Sequence, residues 1–402
     1  MRIAHVITRM IVGGAQENTL LCCRDLVDEF GDEVLLVTGP ALGPEGDLLA
    51  RNGAGGVPVR VIPALRRPIH PWRDPRAFRE LERVLREFQP EVVHTHSAKG
   101  GLLGRVAAWS IGTPAILHTV HGAPFHSFQN PLARDFFRRC ERFAARRCHH
   151  MVSVADAMTD QLVEAGVASR DKFSTIYSGM EVEPFLRAEQ HREAVRRELG
   201  VADDHVVIGK IARLFHLKGQ PYLIQAAAEV VRQCPRVRFV LVGDGILRDQ
   251  LKRQIAEADL TKYFVFTGLV NPRRIAPLIG AMDVLVHASL REGLARALPQ
   301  ALIAGRPVIS YDVDGAREVV IPNRTGYLLA PRSVRPMAEA IIELVNDESK
   351  RQRLGQAGRA RFTDQFRHQV MTRRLRELYQ RILEQGRGGG AGCSAGTSSV
   401  DP

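Results

Sequence analysis

Short, nearly continuous apolar runs rich in β-branched residues alternate along the chain with longer segments of helical spacing. The first series reads IAHVIT, EVLLVTG, VPVRVI, EVVHTH, AILHTVHG and HHMVSVA; the second reads VVIGKIA, VRFVLVGDG, YFVFTGLV, DVLVHAS and RPVISYD. Strands without a polar face are buried on both sides, and their alternation with helices is the rhythm of parallel sheets joined by crossover helices. The pattern predicts an α/β protein of two doubly wound domains facing a cleft, with ligands taken at the carboxyl ends of the strands. We place the first domain at 1–180 and the second at 205–362, joined by a polar linker over 181–204 that carries one charged helix. Residues 363–385 form a C-terminal helix, and the Gly/Ser-rich 386–402, unable to build a core, are expected to be a disordered tail.

The segment from Arg291 to Ser310, REGLARALPQALIAGRPVIS, places an acid beside a helix start. Proline is tolerated only in the first helical turn, so Pro299 puts that start near Ala295 to Leu298, and Gly305 ends the helix. Leu298, Leu302 and Ile303 give one buried stripe, while Gly293 and its followers leave backbone N–H groups for an anion, with Glu292 at the mouth. In IARLFHLKGQPYLIQAAAEV, Arg213 and Lys218 fall at a strand's carboxyl end, next to a helix entered at Gln220. Two cations there suit a diphosphate whose charge grows as a bond breaks; alone, they would read as surface cover. Gly13 and Gly14 form a loop that lets phosphate approach, and Gly243-Asp244-Gly245 repeats the logic in the second half, although a tight turn explains either. Neither GxGxxG nor a lysine-ended P-loop is present, which counts against nicotinamide and ATP.

Histidines cluster at strand ends: His94 and His96, then His118 and His121. His121 precedes Gly122 in a loop facing the expected cleft, where an imidazole could meet a sugar hydroxyl. His94 and His96 share one strand face without an obvious third ligand, so no metal is expected. Asp312 and Asp314 have the spacing of a metal–diphosphate pair but read as loop and helix capping.

Composition narrows the partners. The 402 residues carry a formal charge of +12. Arg134, Arg138, Arg142 and Arg146 recur every four residues with Phe136, Phe137 and Phe143 between them. This is a surface-seeking helix, read as a solvated face or as one meeting an anionic membrane; no nucleic-acid motif accompanies it. Six cysteines show no metal or disulfide framework, so reduced thiols are expected. Without a membrane-length apolar run or a leader-like start, the protein is expected to be cytoplasmic, with peripheral attachment to the inner membrane face open.

Taken together, the Gly13-Gly14 loop, HTHSAKGGLLGR, HTVHG, IARLFHLKG, VLVGDG, EGLARALPQALIAGRPVIS and GAREVV resemble the retaining glycosyltransferases of family 4, over nearly the whole chain. The resemblance implies the GT-B architecture of two Rossmann-like domains, with the last helix crossing back to the first domain. It implies that Arg213 and Lys218 hold a nucleotide diphosphate, that Glu292 faces the donor sugar, that Gly293 and Leu294 present amides, and that His121 contacts the sugar. Gln300 stands where the family commonly has a second glutamate that accepts from the ribose, which puts nucleotide affinity in question. The implied reaction moves a sugar from a nucleotide-diphosphate donor, UDP- or GDP-linked, to a glycan or lipid-linked acceptor, with no cofactor or metal. An epimerase or hydrolase of the same fold, or a catalytically silent nucleotide-sugar binder, are the alternatives.

Overall fold

The computed structural model describes residues 1–43, 46–126 and 128–388. They divide into two compact units. The first comprises Met1–Val154, Met158–Met180 and the chain from His368 onward; the second comprises Ala155–Ala157 and Glu181–Arg367. The part of the proposed tail beyond 388 lies outside the described residues.

The first unit holds β1 (Arg2–Ile7), β2 (Glu33–Thr38), β3 (Val59–Val61), β4 (Val92–His96), β5 (Ala115–Val120), β6 (His150–Ser153) and β7 (Phe173–Thr175). They form one sheet in the order β3-β2-β1-β4-β5-β6-β7, and every pairing is parallel. The second holds β8 (Val206–Ile211), β9 (Val237–Val242), β10 (Phe264–Gly268), β11 (Val284–His287), β12 (Val308–Tyr311) and β13 (Gly326–Leu329). Their order is β10-β9-β8-β11-β12-β13, again parallel. Each sheet is therefore wound outward in both directions from its first strand, and the expected α/β class is what the chain adopts. The winding reverses between β1 and β4 and between β8 and β11, where the following loops diverge and leave a crevice.

The C-terminal helix, His368–Gly388, belongs to the first unit. Met371, Leu375, Leu378, Tyr379, Ile382 and Leu383 repeat at helical spacing and join the core of Leu20, Cys23 and Leu26 from the helix Gly14–Asp28. Asp25 on that helix accepts from the Thr372 hydroxyl at 2.6 Å, and Asp32 accepts from Arg376 Nε at 2.8 Å. This helix starts later than expected because a tight turn over Asp364–Phe366 ends the preceding helical segment.

The stretch read as a linker is folded. Over 181–204, short helices at Glu183–Leu186 and Arg192–Glu198 bury Phe185 and Val195 within the second unit. Two of its arginines point inward, while its other charged residues stay exposed. Arg196, 2% exposed, donates to the carbonyls of Ala281, Asp203 and His205, and pairs with Asp283 at 2.6 Å, while Arg192 takes the other Asp283 oxygen at 2.5 Å.

Buried apolar contacts of the last helix complete the first unit, so Leu375→Ala should lower stability by about 2–4 kcal/mol in urea unfolding. The exposed Arg373→Ala should stay within about 0.5 kcal/mol.

Candidate functional site

Backbone contact between two loops builds the centre of the second unit. The loop after β8 ends at Gly219, whose φ of +71° favours glycine and whose missing Cβ would fall 1.8 Å from the Ala288 carbonyl oxygen after β11. Leu290 N–H donates to the Leu217 carbonyl at 2.8 Å, sealing the same approach. Lys218 and Glu292 are thereby brought together, Nζ to Oε1 at 2.5 Å, each side chain about one-fifth exposed.

Two further groups surround this pair. Asp314, with φ +47°, accepts the Glu292 N–H at 2.6 Å, and Gly315 N–H donates to the Gly293 carbonyl at 3.0 Å. His287, at the end of β11, brings Nε2 to 3.3 Å from Glu292 Oε1, an electrostatic approach rather than a well-formed hydrogen bond. Burial pushes the Glu292 carboxyl up, but His287 and Lys218 outweigh it and hold the group well below the usual carboxylate range. His287 itself is pushed down by burial, against the pull of Glu292.

Lys210, near the carboxyl end of β8, is a residue that sequence reasoning missed. It is 1% exposed, and its ammonium nitrogen has no hydrogen-bond partner. Burial, aided by the charge of Lys218 and opposed by Glu292, pushes it down to about 7. The unpartnered Ser289 hydroxyl is also buried, in the loop after β11.

Arg213 shares the β8 loop with Lys218, and its guanidinium lies 5.1 Å from the Phe215 ring centroid. Gly243, with φ +133°, lays its backbone against that loop, a Cβ there falling 2.2 Å from the Ala212 carbonyl oxygen. The helix carrying Gln300 spans Ala297–Ile303 and closes at Gly305, as Pro299 and Gly305 required. It is a short helix of seven residues, and ahead of it the Glu292 N–H is taken by Asp314. The Asp312–Asp314 pair is corrected too. Asp314 holds the Glu292 loop instead of capping a helix, and Asp312 forms a two-toothed pair with Arg317 at 2.9 Å.

In the first unit, Gly13 precedes the helix Gly14–Asp28 after β1, and His121 follows β5. His121 Nε2 lies 3.2 Å from His96 Nδ1, and His96 Nε2 lies 3.0 Å from His5 Nδ1. His94 is held at both nitrogens, Nδ1 by the Tyr379 hydroxyl at 2.6 Å and Nε2 by Thr119 at 2.7 Å. The third nitrogen that the HTH motif lacked is supplied by His5, since β1 adjoins β4 with His5 opposite His94. Ligand nitrogens of His5, His94 and His96 lie within 4.8 Å of one another. Binding an ion would cost His94 one of its hydrogen bonds. Burial drives His5 down to about 3, and burial with neighbouring imidazoles holds His94 and His96 well below their ordinary value, so all three are neutral.

The arginine face is only partly free. In the helix Pro131–Ala145, Arg138 pairs with Asp135 at 2.6 Å and Arg142 donates to the Gly166 carbonyl at 2.7 Å. Arg134 and Arg146 stay exposed, as do Leu132, Phe136 and Phe143. Among the described residues the cysteines are unpaired, and no helix is long and apolar enough to cross a membrane.

Comparison with known proteins agrees along the chain. The model of "Glycosyl transferase 4-like domain" matches residues 13–179, and that of "Glycosyl transferases group 1" matches 191–361. A GDP-mannose-dependent alpha-mannosyltransferase of Mycobacterium tuberculosis is 31% identical over 344 residues, covering 83% of this chain and 85% of the relative. An Escherichia coli UDP-Gal:alpha-D-GlcNAc-diphosphoundecaprenol alpha-1,3-galactosyltransferase is 28% identical over 351 residues, covering 87% and 89%. Among solved structures, Anabaena HepE in complex with UDP has a TM-score of 0.79 at 22% identity, covering 95% of this chain and 100% of that one. WaaG, a glycosyltransferase of lipopolysaccharide biosynthesis, has a TM-score of 0.70 at 16% identity, covering 94% and 99%; both share the fold.

The buried Lys210 links stability to pH. Below about 7 the folded and unfolded chains both carry its proton, and the burial penalty is complete. Between there and the ordinary 10.5 only the unfolded chain stays protonated, so folding strengthens as pH rises. Lys210→Met should therefore stabilise the protein by on the order of 4 kcal/mol at pH 6 and about half that at pH 9. Equal gains in denaturant unfolding at the two pH values would exclude this titration.

Proposed function

The chain belongs to the group 1 glycosyltransferases, with a family 4-like N-terminal domain, and from there we propose that it transfers a sugar, with retention, from a nucleoside diphosphate sugar to a hydroxyl of a lipid-linked glycan or polysaccharide precursor. The observation that carries this reading is the Lys218–Glu292 pair at the winding reversal of the second sheet. Lys218 has three donors, so it can keep Glu292 and still meet a phosphate oxygen. Arg213, on the same loop, adds a second cation for the leaving diphosphate. Glu292, ionised and held by Asp314, accepts from hydroxyls of the donor sugar, with the Gly293 and Leu294 amides beside it. In the first unit, Gly13, Gly14 and His121 are the residues we assign to the substrates.

In the reaction the bond from the anomeric carbon to the phosphate oxygen breaks, and a bond from the acceptor oxygen forms on the same face. The acceptor's proton passes to the departing phosphate. Arg213 and Lys218 supply the positive charge that a metal supplies in other sugar transferases. Asp312 and Asp314 are engaged by Arg317 and by the Glu292 N–H, so a metal role would require breaking those bonds.

The Escherichia coli relative acts on a diphosphoundecaprenol-linked sugar, and HepE binds UDP; these support a lipid-linked acceptor and a nucleotide donor here. The exposed Leu132, Phe136 and Phe143, on one helix with the exposed Arg134 and flanked by Arg146, suit a peripheral attachment to anionic lipid at the inner membrane face.

Mass spectrometry of a nucleotide-sugar panel with a lipid extract tests the proposal. We expect release of nucleoside diphosphate and a glycosylated lipid, reduced about 100-fold or more by Lys218→Ala and by Glu292→Ala. Epimerised donor without acceptor, or bound but unaltered donor, would replace it with the isomerase or the silent binder. Because an amide accepts more weakly than a carboxylate, Gln300→Glu should tighten nucleotide binding about fivefold in calorimetry. Flotation with vesicles that ignored anionic lipid content would remove the membrane contact.

A further inference from the structure

The helix Ala98–Ser110 is pressed against the first sheet. Its inner face carries Gly101 and Gly104, where a Cβ would fall 2.3 Å from His118 Cε1 and 2.8 Å from Thr95 Cγ2, an approach that only glycine permits. The helices Arg73–Phe88 and Pro131–Ala145 pack along it. Between them a groove of about 550 Å³ is left open. Leu102, Leu103 and Val106 form its floor, Phe78 one wall, and Phe136 with Phe143 the other. The outward face of a surface helix is ordinarily polar. Here it is apolar, and none of these six side chains is buried.

The groove's chemistry restricts what can fill it. Among its lining side chains only the Arg139 guanidinium and the Cys140 thiol are polar, and Arg139 is paired with Asp135 at 2.7 Å. A peptide segment brings backbone groups that need hydrogen bonds, about one for every 100–200 Å² of interface, and finds few partners here. A hydrocarbon chain needs none. The volume lies within the roughly 300–1,000 Å³ of small-ligand sites, which is room for a chain rather than for a bilayer patch.

The two ends of the groove differ. Where the helices end, the Arg147 guanidinium lies 3.6 Å from the Phe143 ring centroid and 5.2 Å from that of Trp109, bridging two of them. Where they begin, after β3, β4 and β5, the groove faces the strand-carboxyl edge. Ile69, Trp72 and Leu132 are exposed at that end, with Arg67 and Arg134. Its acids are already engaged, Asp74 with Lys99 at 2.8 Å and Asp135 with Arg138 and Arg139. Positive charge is thus left for an anionic head, with an apolar channel behind it.

We propose that this groove takes a single hydrocarbon chain, the tail of the lipid-linked acceptor, whose phosphate-bearing head lies at the strand-carboxyl edge. That the lipid is an acceptor rests on the transferase reading above; that the groove holds a chain does not. The site is distinct from attachment to a membrane surface, since Leu103 and Val106 line the groove and Leu132 does not.

Calorimetry of the full chain with farnesyl phosphate and with the shorter geranyl phosphate, both below their micellar range, tests this. One farnesyl phosphate per chain is expected, held about tenfold more tightly than geranyl phosphate and not displaced by excess inorganic phosphate. Leu103→Trp, which fills the groove, and Val106→Gln, which makes its floor polar, should each weaken farnesyl phosphate about tenfold. Both should leave flotation with anionic vesicles unchanged, whereas Leu132→Ser should weaken flotation and spare farnesyl phosphate. In transfer to a lipid extract the groove variants should raise KM for the lipid and leave kcat unchanged. Circular dichroism identifies a misfolded variant, and the folded one of the two then decides.

No binding of farnesyl phosphate, equal affinity for the two chain lengths, several lipids per chain, or unchanged affinity in both groove variants would overturn the proposal. So would a dimer in sedimentation that Leu103→Trp dissociates, which would assign the groove to a second copy. Farnesyl phosphate bound as expected with no donor turned over would leave the groove and remove the transferase reading. Transfer with KM unchanged in the groove variants would overturn the acceptor-tail proposal alone.

Discussion

A parallel sheet wound outward in both directions must have one place where adjacent strands send their chains to opposite faces, and the loops that follow those two strands cannot pack on each other's helices. In the second unit this occurs between β8 and β11, and the Lys218 and Glu292 loops meet there backbone to backbone at Gly219. The charged pair is a consequence of that topology. No local preference of either loop would bring residues so far apart in the chain to 2.5 Å. In the first unit the same reversal lies between β1 and β4, and the strands there carry His5, His94 and His96.

Polar groups are held at the two reversals by different physics. The second unit keeps charge. Glu292 is ionised because cationic and hydrogen-bonding neighbours outweigh its burial, and Lys210 loses much of its basicity because burial, with the charge of Lys218, outweighs the pull of Glu292. The first unit keeps neutrality, its histidines stripped of their protons by burial and tied to one another and to Thr119 and Tyr379. The two reversals thus hold polar groups in opposite regimes, ionised in one and neutral in the other.

Much of this could be read in the sequence. The apolar runs gave both sheets, Pro299 and Gly305 bounded their helix, and the loops after strands contained Lys218 and Glu292. What escaped has a common origin, since strand adjacency is not written locally. Lys210 sits inside VVIGKIA and His5 inside IAHVIT, and both pass for incidental polar residues until β11 and β4 are known to be their neighbours. The linker was misjudged because arginine is ordinarily solvated, whereas Arg196 is buried against three carbonyls and Asp283. Asp314 looked like a cap because its bond to the Glu292 N–H crosses between two loops.

The first unit takes its last helix from the far end of the chain, after the whole of the second unit has been made. On a ribosome, the helix Gly14–Asp28 emerges with Leu20, Cys23 and Leu26 only partly covered by early strand residues such as Ile3 and Val34, and the rest of their core arrives with Met371 to Leu383. At about 5–20 residues per second, the interval is on the order of ten seconds or more. The second unit is itself complete only at Arg367, so part of the first unit's apolar core waits uncovered until nearly the whole chain is made. Although the first unit begins first, it cannot close before the second has been made.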